Sequence, residues 1–244
     1  MKKKIFLALS GVLLALLILL LLLPVGQIRI EGNSYYSEEE LKDRIFGDNK
    51  PRYLVARIGE MLGRHREIPF VERYSLDFGP GLDIRVTVYE KALAGYILFQ
   101  NYYLYFDWDG TLVETSSRRV EDVYEVSGLS ISHAVVGEKL PVGEGGKISS
   151  ILTISQFLNR EKIDLGAEEI LLGSLAKRIH FSNEGILLEL EDIKVLLGGG
   201  DNMEAKLFVM ADMLPALKGR KGTLYLNTFK PGAAHPSYIF KENE

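Results

Sequence analysis

Hydrophobic positions along the chain fall into three regimes. From residue 5 to residue 23 they are almost continuous: fifteen of the nineteen residues are Leu, Ile, Val or Phe, and the others are Ala8, Ser10, Gly11 and Ala15. As a helix this run would span about 28 Å at a rise of about 1.5 Å per residue, close to the hydrocarbon thickness of a bilayer. Each large apolar residue near its middle favours insertion by about 0.3–0.6 kcal/mol. Lys2, Lys3 and Lys4 precede it, and the positive-inside rule holds such a cluster in the cytoplasm. A cleaved signal peptide would carry a shorter apolar stretch and a small-x-small cleavage site, and Leu21-Leu22-Leu23-Pro24-Val25-Gly26 offers none. The expectation is a single-pass plasma-membrane protein: a cytoplasmic tail over 1–4, one transmembrane helix over 5–23 in the lipid bilayer, and the rest extracytoplasmic.

Beyond this run the spacing becomes periodic. Residues 25–31 (VGQIRIE) alternate apolar and polar as a half-buried strand does, and Gly32-Asn33-Ser34 turns the chain. Ser37 and Glu40 have the S-x-x-E spacing of a capping box, in which the hydroxyl accepts from a free amide of the first turn while the carboxylate reaches back. Leu41, Ile45 and Phe46 supply the buried face of that helix. A second helix fits 52–64, where Leu54, Ile58, Met61 and Leu62 form one apolar stripe of the kind that packs on a core. Ile68-Pro69-Phe70-Val71 leads into a strand through Leu76 and Phe78, Gly79-Pro80-Gly81 turns, and 82–88 alternates strictly. This β-α-α-β-β order predicts a compact α+β unit over 25–91.

From Ala92 the pattern changes to short strands and turns. Strands are predicted at 97–99, 102–106 and 111–114, and a helix at 148–158 with Ile148, Ile151, Leu152, Ser155 and Leu158 near one face. Strands at 176–181 and 186–190 flank residues 182–185, which read as a four-residue hairpin loop. A strand at 193–197, a helix at 203–217 and a last strand at 223–229 follow, closed by Lys230-Pro231-Gly232. The prediction is a mixed β-sheet domain with a few helices over 92–230 and a C-terminal tail over 231–244. Tyr238, Ile239 and Phe240 make that tail too apolar for a simple solvated end, so it packs back on the domain or joins an interface.

Composition narrows the classes. Setting aside the three N-terminal lysines leaves 26 basic against 33 acidic side chains, a net charge of about −7 outside the apolar run. No basic stripe emerges, so nucleic acid and anionic lipid surfaces are poor candidate partners. The chain has no cysteine, which removes disulfide staples and thiol chemistry and leaves stability to hydrophobic burial.

One stretch carries a chemical signal. Asp107-Trp108-Asp109-Gly110-Thr111 follows a hydrophobic strand and resembles the D-x-D-G-T nucleophile motif of the haloacid-dehalogenase phosphatases. In such an enzyme Asp107 would attack phosphorus, Asp109 would act as acid and base, and further carboxylates would hold Mg²⁺ through hard oxygen ligands. Gly200-Asp201-Asn202-Met203-Glu204-Ala205 is a partial match to the acidic motif of that family, but Ala205 stands where the second aspartate belongs. A hairpin accounts for the first stretch better. Asp109-Gly110 suits a two-residue type I′ turn with positive φ at both positions, between strands containing Tyr103, Tyr105 and Val113. Asp201 and Glu204 read as N-cap and N3 of a helix start. His65, His133, His180 and His235 are far apart and form no metal-ligand pair, and no G-x-S-x-G elbow occurs. Gly143-Glu144-Gly145-Gly146-Lys147-Ile148 lacks the first glycine and the Ser/Thr of a phosphate loop. No catalytic residue, cofactor or metal is expected.

A binding function fits the last strand. Leu224, Leu226 and Thr228 fall on one face of 223–229, and Tyr225, Asn227 and Phe229 on the other. If the leucines anchor the strand, Tyr225 and Phe229 are left for a partner segment that completes its hydrogen-bond ladder. Thr223, Tyr225, Asn227, Phe229, Tyr238 and Phe240 are the candidate partner-binding residues; the alternative is an ordinary strand packed on both faces.

The order of these parts is similar to the bacterial divisome FtsQ/DivIB family. The resemblance rests on Ile28-Arg29-Ile30-Glu31-Gly32-Asn33 at the start of a POTRA-like domain, Ile68-Pro69-Phe70-Val71 at its second strand, and Val88-Tyr89-Glu90-Lys91 at its close. In the β domain it rests on 106–113, Leu196-Leu197-Gly198-Gly199 and the Lys206-Leu207 pair. Relatives often carry D-x-R in the final strand, where this chain has Tyr225-Leu226-Asn227. The resemblance implies a non-enzymatic scaffold at the division septum. Its partners would be the extracytoplasmic parts of DivIC/FtsB-type and FtsL-type proteins and, through them, the septal penicillin-binding protein that makes peptidoglycan. Docking would use the last strand, with the closing POTRA strand, 82–88, as a secondary edge and the POTRA unit as an aid to recruitment. A membrane-anchored Mg²⁺ phosphatase and a POTRA-type secretion or assembly module are the competing classes.

Overall fold

The computed structural model describes residues 2–47, 51–141, 146–166, 168–232 and 238–243, and the chain divides into two compact units, 1–91 and 92–244. It is a mixed α/β protein with one N-terminal apolar helix and a large mixed sheet.

The first unit begins with α1 (Lys2–Leu21), whose stretch from Lys3 to Leu21 is long and apolar enough to cross a membrane and is not covered by the rest of the protein. Then come β1 (Ile28–Glu31), α2 (Glu38–Phe46), α3 (Tyr53–Met61), β2 (Val71–Phe78) and β3 (Ile84–Glu90). The three strands form one sheet in the order β1-β3-β2, with β1 parallel and β2 antiparallel to β3. The closing strand therefore occupies the middle of its sheet, and the exposed edges belong to β1 and β2. The secondary docking edge expected at 82–88 is already paired on both sides.

Local chemistry accounts for the entry into α2. Ser37 Oγ accepts from the Glu40 amide at 3.3 Å and the Glu40 carboxylate accepts from the Ser37 amide at 3.0 Å, so the capping box is complete. The preceding turn needs Gly32: its φ is +85°, and a Cβ there would meet the Val88 carbonyl oxygen at 2.4 Å. Leu41 and Ile45 are buried beneath α2, while Phe46 is only half-buried. The second helix is oriented differently from the expectation. Tyr53, Ala56 and Glu60 face β2, with the Tyr53 ring edge-on to Phe78 at 5.3 Å and the Glu60 carboxylate accepting from the Leu76 amide at 3.3 Å. The stripe containing Ile58, Met61 and Leu62 points to solvent.

The second unit contains β4 (Gly95–Phe99), β5 (Tyr102–Phe106), β6 (Leu112–Ser116), β7 (Glu125–Ser127), α4 (Lys147–Arg160), β8 (Lys162–Asp164) and β9 (Glu169–Leu171). It continues with β10 (Arg178–Ser182), β11 (Gly185–Glu189), β12 (Ile193–Gly198), α5 (Met203–Met213), β13 (Gly222–Tyr225) and β14 (Ile239–Glu242). Nine of these strands form one mixed sheet in the order β14-β13-β12-β11-β10-β7-β4-β5-β6, and β8 pairs with β9 separately. β12, α5 and β13 make a parallel β-α-β crossover. Ile151, Ile154, Phe157 and Leu158 of α4 and Leu207 and Met210 of α5 share a core with Val126, Ile179, Leu188, Val195 and Leu224 of the sheet.

Several boundaries moved. The β10–β11 loop is two residues, since Ser182 and Gly185 are themselves a pair. α5 ends at Met213, two residues before Pro215, and a 3-10 turn over Leu214–Leu217, in which the proline contributes no amide donor, completes the expected helix. The N-cap of α5 is Asn202 in the left-handed region, with no side-chain capping bond, so Asp201 and Glu204 do not make the predicted cap.

Candidate docking edge

β13 runs parallel to β12 and antiparallel to β14. Leu224 and Leu226 are fully buried, as alternation predicts, and Thr223 and Tyr225 lie half-exposed on the opposite face. The strand then stops. The Leu226 amide donates to Leu196 O at 2.9 Å and the Phe229 amide to Leu226 O at 3.1 Å, which turns the chain. Asn227 and Thr228 are left exposed and Phe229 swings into the core at 9% exposure. Strict alternation through 229 thus assigned Thr228 and Phe229 to the wrong sides.

The tail supplies the outermost strand. β14 runs antiparallel to β13 with Thr223 opposite Lys241, Leu224 opposite Phe240 and Tyr225 opposite Ile239. β13 is therefore interior, and the edge expected on it belongs to β14. Hydrogen bonds fix which groups point outward. The Gly222 and Leu226 amides donate to β12 and its approach, while the Asn243 amide donates to Lys221 O at 3.0 Å. By the alternation of an antiparallel ladder, Ile239 and Lys241 bond to β13, and the amides and carbonyls of Phe240 and Glu242 face the open side. Phe240 packs against the core beneath the Arg220 guanidinium, which lies 4.8 Å from its ring centre and pairs with Glu242 at 2.6 Å. Tyr238 and Ile239 are 43% and 56% exposed.

The sheet face away from the helices extends this edge. In register across the strands, Ile239, Tyr225, Leu196, Leu187, His180 and Ser127 form one transverse row. Its first four members are apolar or aromatic and none is fully buried. The neighbouring row reads Lys241, Thr223, Lys194, Glu189, Arg178 and Glu125, and it is laced by Lys194–Glu189 at 3.4 Å, Arg178–Glu189 at 3.7 Å and Arg178–Glu125 at 3.1 Å. The sequence points to Ile239 as part of an apolar tail and to Leu196 as part of a small-residue turn, but not to Leu187; only strand register brings all three into line with Tyr225.

No protein-family model matches the chain, and no curated protein matches it.

The aspartates of DWDGT form a turn. β5 and β6 pair antiparallel across it, the Gly110 amide donates to Asp107 O at 2.9 Å, and the Asp107 amide donates to Thr111 O at 3.0 Å. Asp109 is not in the left-handed region, whereas Gly110 has φ +74°. This is a three-residue loop with a bulge glycine instead of the two-residue type I′ turn. The Asp107 carboxylate accepts from the Asp109 amide at 3.0 Å and the Thr111 amide at 2.8 Å, the geometry of an Asx turn. Lys206 is buried at 2% exposure and donates to Leu197 O at 2.8 Å and Gly199 O at 3.1 Å, tying α5 to the end of β12. Burial pulls its pKa below the usual lysine value, and Asp201 opposes that shift. His180 Nδ1 bonds to the Ser127 hydroxyl at 2.9 Å, and His65 lies 3.2 Å from Glu60. His133 is exposed beside Ser132; His235 and residues 143–145 lie outside the described residues. Among the described residues no group of three His, Asp or Glu side chains is gathered for a metal ion.

Proposed function

We propose that the chain is a non-enzymatic, membrane-anchored scaffold of the division septum, of the FtsQ/DivIB kind. It would link the extracytoplasmic parts of DivIC/FtsB-type and FtsL-type proteins and help regulate septal peptidoglycan synthesis. The observation that carries this reading is the C-terminal edge of the nine-stranded sheet, where β14 presents the backbone groups of Phe240 and Glu242 beside exposed Tyr238 and Ile239.

Strand addition there would be weak by itself. Each backbone hydrogen bond contributes about 0.5–1.5 kcal/mol net, and covering the exposed half of Tyr238 and Ile239 at most about 1.5 kcal/mol each. Association costs about 4–15 kcal/mol, so two outward residues cannot hold a partner tightly. A partner that also covers the Ile239–Tyr225–Leu196–Leu187 row gains the missing apolar area, and the adjacent ion-pair row fixes its register. Tyr225 contributes as part of this face, and its ring lies 5.2 Å from Lys241 Nζ.

The test is a titration of the full chain in lipid nanodiscs with the DivIC/FtsB-type and FtsL-type ectodomains, alone and together, beside a chain ending at Gly232. Micromolar or tighter binding by the full chain, weakened at least about tenfold without β14, is expected. Binding to neither partner refutes the scaffold; equal binding by both chains keeps the scaffold and refutes the edge.

A further inference from the structure

Helix α3 carries its apolar residues outward. Val55, Ile58, Met61 and Leu62 are 53%, 47%, 81% and 59% exposed, and on a helical wheel they share one arc opposite Tyr53, Ala56 and Glu60. No described element covers this arc. Its position says what does. The Tyr53 amide at the start of α3 donates to Leu23 O at 3.0 Å, and the Val25 amide donates to Pro51 O at 3.0 Å. Pro24 and Arg52 form an isolated antiparallel bridge between the same segments, and α1 and α3 pack against one another. The first turn of α3 is thus fixed within one hydrogen bond of the end of the apolar helix.

Charge agrees with location. Between residues 51 and 66 there are four arginines, Arg52, Arg57, Arg64 and Arg66, and one acid, Glu60. The Glu60 carboxylate is turned inward to the Leu76 amide and His65, away from the apolar arc. Arg52 and Arg64 stand exposed at either end of α3. Long basic side chains bordering an apolar arc suit lipid phosphates above acyl chains.

We propose that the Val55–Ile58–Met61–Leu62 arc of α3 lies in the headgroup–acyl boundary of the bilayer, as an interfacial helix beside the exit of α1. This rests on the reading that α1 crosses that bilayer. The arc then gives the first unit a second attachment to the membrane, which limits its swing about the end of the anchor. The negative net charge of the chain argues against a basic surface as a whole; it does not bear on Arg52 and Arg64 at the two ends of one helix, while Arg57 lies over the Phe78 ring and Arg66 donates to Arg44 O.

The chain has no cysteine, so a single introduced one takes a nitroxide label uniquely. Full chains carrying Ser10→Cys, Met61→Cys or Glu39→Cys would be reconstituted in vesicles of phosphatidylethanolamine and phosphatidylglycerol. Spin-label collision with oxygen and with a water-soluble nickel chelate would then be compared. Labels at 10 and 61 are expected to meet the chelate several-fold less than the label at 39. A lipid-embedded label at 10 with a label at 61 as chelate-accessible as that at 39 overturns the interfacial helix and leaves the anchor standing. A chelate-accessible label at 10 overturns both. Dipolar broadening between labels at 61 would put a second copy of the chain on the arc and overturn it too.

Discussion

Helices α2 and α3 have the same length, belong to the same unit and carry comparable apolar patterns, yet they use them in opposite directions. In α2 the apolar positions Leu41 and Ile45 are buried and the helix is held at its start by a complete capping box. In α3 the aromatic Tyr53 and the charged Glu60 dock on the strand while Ile58, Met61 and Leu62 are exposed, and the N-cap Arg52 makes no side-chain capping bond. An apolar stripe states that one side of a helix avoids water. It does not state whether protein or another apolar medium meets that side.

Substitutions sharpen this contrast, the largest effect falling on the α2 core. Leu41→Ala removes a fully buried side chain and should cost about 2–5 kcal/mol in denaturant unfolding of residues 26–244. Ile58→Ala in the same protein should change stability by no more than about 0.5 kcal/mol, because the residue touches water already. A comparable loss at both positions would mean that the arc is covered by protein after all. Ser37→Ala should cost about 0.5–2 kcal/mol by leaving the first-turn amides of α2 without their acceptor.

A pH effect falls on the same side as α2. Burial, with the negative Glu90 carboxylate adding to it, raises the Tyr35 phenol to about 12. The unfolded chain ionises at about 10 and so loses the proton first. Stability should therefore be intact below pH of about 10 and decline as pH rises from there toward about 12. Tyr35 is only half-buried, so solvent screening keeps the effect modest. Tyr35→Phe should flatten that part of the unfolding profile. Arg52→Ser supplies α3 with the cap it lacks and should raise the stability of residues 26–244 by up to about 1 kcal/mol.

What could be seen in the sequence was local. The capping box at Ser37, the strict alternation of 82–88 behind the strand Ile84–Glu90, and the hairpin around Gly110 each depend on residues within a few positions of one another. The turn type at Gly110 was misassigned because Asp109-Gly110 suits two loops, and only the Asp107 carboxylate bonds decide between them. Long-range pairing was not legible. Nothing near 223–229 announces that a four-residue strand beginning at Ile239 will cover it, although the apolar Tyr238, Ile239 and Phe240 mark that tail as unsuited to free solution. The outcome preserves an open C-terminal edge but moves it one strand outward, and it places Phe229 inside. The apolar row from Ile239 to Leu187 is a property of register across four strands, so no single stretch of sequence contains it.

The most direct measurement uses proline as a probe of the open edge. The Glu242 amide faces outward, so Glu242→Pro removes a donor that only an added strand would use, and its ring obstructs that strand while the β13–β14 ladder persists. Glu242→Ala controls for the exposed ion pair with Arg220, which contributes about 0–1 kcal/mol. In titrations with the DivIC/FtsB-type ectodomain, the account predicts that Glu242→Pro melts within a few degrees of the parent and of Glu242→Ala but binds at least about tenfold more weakly than either. Parental affinity in a folded Glu242→Pro chain would contradict it.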